Sequence, residues 1–123
     1  MMGRRDLLHL LEDFFILPEA TAGSDPSWFG FPIAVRPGGL LTRNAVIEHL
    51  ETRKIATRLL FAGNLVRQPA YKDVRFRVAG SLEKTDFIMN QVFWVGIYPG
   101  ITDSMLDYML ESFHSIIRYA KTA

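Results

Sequence analysis

Large apolar residues recur along this chain with the two periods that mark helices and strands. From residue 4 to residue 15, Leu7, Leu8, Leu10, Leu11, Phe14 and Phe15 fall on one broad helical face. Asp6 suits the positive end of that helix, and Pro18 predicts a stop no later than Leu17. Residues 18–27, PEATAGSDPS, form a turn-rich loop. In Trp28–Val35 the large residues Phe29, Phe31, Ile33 and Val35 alternate with Gly30, Pro32 and Ala34, which predicts a strand. Pro32 has no N–H to donate, so that strand belongs at an edge or leaves this position unpaired. Pro37-Gly38-Gly39 ends it.

Thr42 is a natural N-cap for a helix over Thr42–Lys54, with Ala45, Val46, Ile47 and Leu50 turned inward and His49 outward at the surface. Ile55–Phe61 reads as the second strand. KDVRFRVAG is a charged connection with the pattern of a short exposed strand, and Thr85 or Ser81 starts a brief helical turn through Asn90. Residues 92–98, VFWVGIY, are apolar at nearly every position, which predicts a third strand covered on both faces. After Pro99-Gly100, Thr102 opens a last helix with Met105, Leu106, Met109, Leu110, Phe113, Ile116 and Ile117 on its inner side and His114 at the boundary. The expected fold class is therefore α+β, about three principal strands with helices mainly on one face. A length of 123 residues makes one domain.

Composition narrows the functional classes. The chain is 49% hydrophobic and 22% charged, which is a globular balance, slightly rich in apolar surface for a free-standing monomer. It has no cysteine, so disulfides, thiolate zinc sites and iron–sulfur ligation within this chain are excluded. No apolar run approaches the length of a membrane span, and the N-terminus lacks the features of a secretory signal, so a cytoplasmic location is expected. Net charge is +1, but residues 36–77 hold nine basic and three acidic side chains. That middle third could attract a phosphate-bearing ligand or RNA. A solvated basic face would carry the same charges.

The chemical inventory is short. No Gly-rich phosphate loop, nucleophile elbow or metal-binding histidine pair is present, and the three histidines stand in separate helical segments. No catalytic set is complete, which points to part of an active site. The richest stretch follows the second strand: Ala62-Gly63-Asn64-Leu65-Val66-Arg67-Gln68-Pro69-Ala70-Tyr71. Gly63-Asn64 permits a sharp turn, and Asn64, Arg67 and Gln68 put hydrogen-bond donors within it. Such a group can hold a phosphate, a sugar hydroxyl or a carboxylate. An ordinary asparagine turn with two exposed side chains has the same pattern.

PSWFGFPIAV, KIATRLLFAGNLVRQPAY and KTDFIMNQVFWVGIYPGITDSMLDYMLESF resemble the C-terminal part of DegT/DnrJ/StrS-type sugar aminotransferases. TRLLFAGNLVRQP is most similar to the dehydratase branch, the RfbH-type lipopolysaccharide-biosynthesis enzymes or CDP-4-dehydro-6-deoxyglucose 3-dehydratases. The resemblance implies the small C-terminal domain of a fold-type-I aminotransferase. Its large domain, absent from this chain, would hold pyridoxal or pyridoxamine phosphate, and the iron–sulfur cysteines of the branch would lie there too. The chain would then be a fragment or a truncated gene product, inactive alone, with no catalytic or metal-binding residue of its own. Carried over residue by residue, the resemblance makes Arg58, Asn64, Arg67 and Gln68 substrate-binding and places Phe61 in the pocket wall. The implied partners are a CDP-linked deoxyhexulose and a second subunit in a homodimer, with no membrane. The competing reading is a free-standing ferredoxin-like module that binds a small ligand or RNA through its basic middle.

Overall fold

The computed structural model describes residues 11–123. Among them a four-stranded antiparallel sheet has the order β1-β2-β4-β3, with β1 at Phe15–Ile16, β2 at Gly30–Val35, β3 at Thr57–Leu59 and β4 at Val92–Gly96. Three helices complete the α+β architecture: α1 (Arg43–Thr52), α2 (Glu83–Gln91) and α3 (Asp103–Thr122). Four strands replace the expected three. The added one, β1, comes from the end of the apolar run read as a helix over residues 4–15. Leu11 and Glu12 are helical, but Phe15 and Ile16 leave the helix and pair with Val35 and Ala34. The remainder of that expected helix lies outside the described residues.

Register explains the core. Phe31, Ile33 and Val35 share a face with Val95 and Phe93 of β4 and with Phe15 of β1. Against that face pack Val46 and Leu50 of α1 and Phe113, Ile116 and Ile117 of α3. Phe15 meets Phe113 edge-on at 5.4 Å between centroids. The opposite face carries Trp94, which contacts Phe29 and leaves no room for a side chain at Gly30. β1 reaches only Ala34 and Val35, so Pro32 has a neighbouring strand on one side alone, although β2 is interior to the sheet.

Both expected caps form. Thr42 Oγ1 accepts from Ala45 N–H, and Thr102 Oγ1 accepts from Met105 N–H, each at 3.2 Å. Inside α1 the assignment of faces needs correction. Ala45 is exposed, and His49 is half-buried, its Nε2 at 3.0 Å from Ser112 O and 2.7 Å from Ser115 Oγ of α3. The partner that draws it inward lies more than sixty residues away, beyond any local periodicity. His114 is likewise buried rather than at a boundary, and burial lowers its pKa.

The last helix departs furthest from its pattern. Phe113, Ile116 and Ile117 are buried, but Met105 and Leu106 are exposed and Met109 and Leu110 only half-buried. The first two turns of α3 hold no buried residue. Beside them an apolar cleft of about 270 Å³ is lined by Phe31, Ile33, Ile97, Leu106, Leu110 and Phe113, among others. The brief turn expected before β4 is the nine-residue α2, started by Ser81 Oγ accepting from Glu83 N–H. The charged connection before it forms no strand and is exposed throughout residues 72–80.

Candidate functional site

β3 is shorter than the pattern of Ile55–Phe61 predicts, because Phe61 adopts φ 40° and turns the chain away from the sheet. A left-handed conformation is costly for a bulky residue, on the order of 1–2 kcal/mol. The residue is 88% exposed, so packing among the described residues does not compensate the strain. Gly63 follows at φ 63°, its N–H bonded to Leu60 O at 3.2 Å. A Cβ there would stand 2.5 Å from Met89 Cγ of α2, so glycine is needed for both angle and space.

Asn64 then starts a 3₁₀ turn, Leu65–Arg67, with its Oδ1 accepting from Val66 N–H at 3.3 Å. Its side chain is not displayed to solvent: the residue is 2% exposed, and Nδ2 donates to Asp86 Oδ1 of α2 at 2.9 Å. Arg67 grips the same carboxylate in a bidentate pair, Nε to Oδ1 at 2.6 Å and Nη2 to Oδ2 at 2.8 Å. The Arg67 hydrogen bond first and that of Asn64 second hold the Asp86 pKa down at about 2, and Asp86 in turn raises that of Arg67. Gln68 Nε2 donates to Ala62 O, closing the loop on itself. A second 3₁₀ turn, Pro69–Tyr71, follows with proline at its first position.

Arg58 stands apart from this group. It lies on β3 opposite Trp94, exposed, with Nη1 donating to Thr57 O at 2.9 Å. Its neighbour Thr57 is fixed from α1: Glu51 Oε1 accepts from Thr57 N at 2.7 Å and from Thr57 Oγ1 at 2.8 Å. Those bonds lower the Glu51 pKa.

The structure thus joins Asn64, Arg67 and Gln68 in one ordered loop, sets Phe61 at its mouth, and leaves Arg58 on the adjoining strand. Sequence reasoning missed Asp86. The available signal was an acidic residue in the first turn of a helix that follows a basic loop, too general to single it out. Among the described residues no group of His, Asp and Glu could hold a metal ion, and no helix is long and apolar enough to cross a membrane.

Residues 5–114 match the sequence profile of the DegT/DnrJ/EryC1/StrS aminotransferase family. Over 101 residues the chain is 54% identical to lipopolysaccharide biosynthesis protein RfbH of Salmonella typhimurium, an alignment covering 82% of this chain and 23% of that protein. It is 53% identical over 97 residues to dTDP-4-dehydro-2,6-dideoxy-D-glucose 3-dehydratase of Saccharopolyspora spinosa, covering 79% and 21%. The chain therefore spans less than a quarter of the length of these relatives. Its fold superposes with a TM-score of 0.72 on E. coli GDP-4-keto-6-deoxy-D-mannose-3-dehydratase, a structure with bound hydrated PLP, at 20% identity over 86% of this chain and 28% of that one. The chain belongs to the DegT/DnrJ/EryC1/StrS aminotransferase family.

Proposed function

We propose that this chain is the substrate-positioning C-terminal domain of a pyridoxamine- or pyridoxal-phosphate-dependent nucleotide-sugar 3-dehydratase of lipopolysaccharide or deoxysugar biosynthesis. Its substrate class is a CDP-linked 4-keto-6-deoxyhexose. The observation that carries this reading is the 60–71 loop: an ordered run of Asn64, Arg67 and Gln68 with an uncovered aromatic ring at its mouth. Sugar oxygens suit the Arg67 guanidinium and the Gln68 amide, buried Asn64 shapes the loop that presents them, and a diphosphate suits the Arg58 cation. Phe61 supplies a flat apolar wall, its strained backbone holding the ring outward before a ligand arrives. The identities with RfbH and with the dTDP-sugar dehydratase support a nucleotide-sugar substrate; the CDP linkage is carried by the resemblance of TRLLFAGNLVRQP alone.

The described residues do not fit the cofactor itself. His49 is engaged with Ser112 and Ser115, and His114 is buried in α3 packing. The cleft beside α3 that contains Lys54 has no acidic side chain in its lining, and its Arg53 is bonded to Ser112 Oγ and set over the Tyr108 ring. On this reading the cofactor, which supplies an electron sink when bound, belongs to the remainder of the enzyme. The present chain binds, orients and excludes water. The exposed Met105 and Leu106 then face that remainder or a second subunit of a cytoplasmic homodimer.

The test is a titration of the chain with CDP-linked 4-keto-6-deoxyhexose, followed by NMR of its backbone amides. Shifts concentrated at residues 58–71 are expected. Absence of shifts there, with strong salt-sensitive RNA binding through Lys72, Arg75 and Arg77, would replace this reading with the nucleic-acid module.

A further inference from the structure

We infer that Asp86 is the positioning residue of this loop: it holds Asn64 and Arg67 in one arrangement and fixes which edge of the Arg67 guanidinium is offered to a ligand. The inference rests on the reading of the loop as a nucleotide-sugar wall. Three donors from two residues converge on one carboxylate that lies 19 and 22 positions later in the chain. The Asn64 amide is oriented at both ends, since Oδ1 must face Val66 N–H and Nδ2 must face the carboxylate. A flipped amide would set like against like at each end. Val66 N–H and an acceptor at position 86 select the same orientation.

The same carboxylate occupies the Nε and Nη2 side of Arg67 and leaves the Nη1 edge outward on a side chain that is 57% exposed. The ion pair that the cationic Arg67 forms with Asp86 has no net charge. It therefore presents directed N–H groups suited to a neutral oxygen, a sugar hydroxyl or carbonyl, beside the diphosphate rather than on it. Gly63 packed on Met89, one turn after Asp86 on α2, seats the loop on the same helix face.

Asp86 also lies in the first turn of α2, where any negative charge favours the helix. The experiment must separate that effect from positioning. It uses the 123-residue chain with Asp86→Asn and with Asp86→Glu. Readouts are amide hydrogen exchange, the Arg67 Nε–H NMR signal, and titration with the CDP-linked sugar and with inorganic pyrophosphate. In the Asn variant the amides of Val66, Arg67 and Gln68 should exchange about tenfold faster, while Ile33 and Phe93 change less than about twofold. The protected Arg67 Nε–H signal should merge with those of exposed Arg75 and Arg77, and pyrophosphate should bind severalfold tighter to the unpaired cation. The Glu variant keeps the helix-end charge but displaces the carboxylate, so the loop should loosen there too.

Unchanged loop exchange in Asp86→Asn, or full restoration by Asp86→Glu, overturns the positioning role. So does an Arg67 Nε–H in the parent chain that exchanges as fast as those of Arg75 and Arg77. If the loop loosens as expected while no variant or parent responds to the nucleotide sugar, positioning stands and the substrate reading falls.

Discussion

The sheet core and the 60–71 loop are held by different physics. The core is apolar and redundant: Phe93 and Val95 sit between strands and under two helices, so each contact has neighbours that share its role. The loop has little apolar burial, with Leu65 and Phe61 both exposed, and depends on one carboxylate and one glycine. Stability in the first region is a property of area removed from water. In the second it is a property of a few directed bonds. The loop should therefore fail while the sheet holds, whereas loss of the sheet takes the loop with it.

The largest expected effect tests the core. Phe93→Ala should cost about 3–5 kcal/mol in urea denaturation and melt loop and sheet together, because it leaves a cavity at the centre of the sheet. Gly63→Ala comes next, with a cost of about 1–2 kcal/mol from the left-handed backbone. Its signature should be faster amide exchange confined to residues 60–71 while the β2–β4 ladder keeps its protection. A loss spread equally over both regions would abolish the distinction. Phe61→Gly should act with the opposite sign, raising stability by up to about 1 kcal/mol through relief of the strained φ, yet weakening ligand binding. No gain in the denaturation midpoint would mean that the Phe61 ring is held by contacts of its own.

The mildest perturbation is acid. Asp86 has its pKa depressed in the folded chain, to about 2, so its contribution is complete above the unfolded carboxylate value near 4. It fades as pH falls through about 2. Loop amides should lose their protection between those limits, relative to the sheet amides measured in the same spectra. Loop protection that persists to pH 1 would remove the carboxylate from its central place.

Core and loop also differed in how far the residues alone revealed them. Strands β2 and β4 and helices α1 and α3 were legible because period, cap and breaker coincide within a few positions, as at Thr42 and Thr102. β1 was not, since Phe15 occupies an inward position under either helical or strand geometry and only pairing with Val35 decides between them. His49 and Ala45 were misplaced because α3 crosses α1 at a position no local window contains. For the candidate site, Asn64, Arg67 and Gln68 were visible as one contiguous cluster, but not the carboxylate that engages two of them. Met105 and Leu106 carry the same periodicity as Ile116 and Ile117. A helical pattern gives the side on which cover is wanted, not whether this chain provides it.

One consequence of the strand order concerns synthesis. β4, the third strand across the sheet, is the last to be translated, and it alone bridges β2 to β3. Until Val92–Gly96 has emerged from the ribosome, β3 has no described strand to pair with, although Asp86 and Met89 of α2, which anchor the loop, are already made. A nascent chain stopped just before that segment carries every sugar-facing side chain proposed above and the carboxylate that positions them, but not the strand that ties β3 to the sheet.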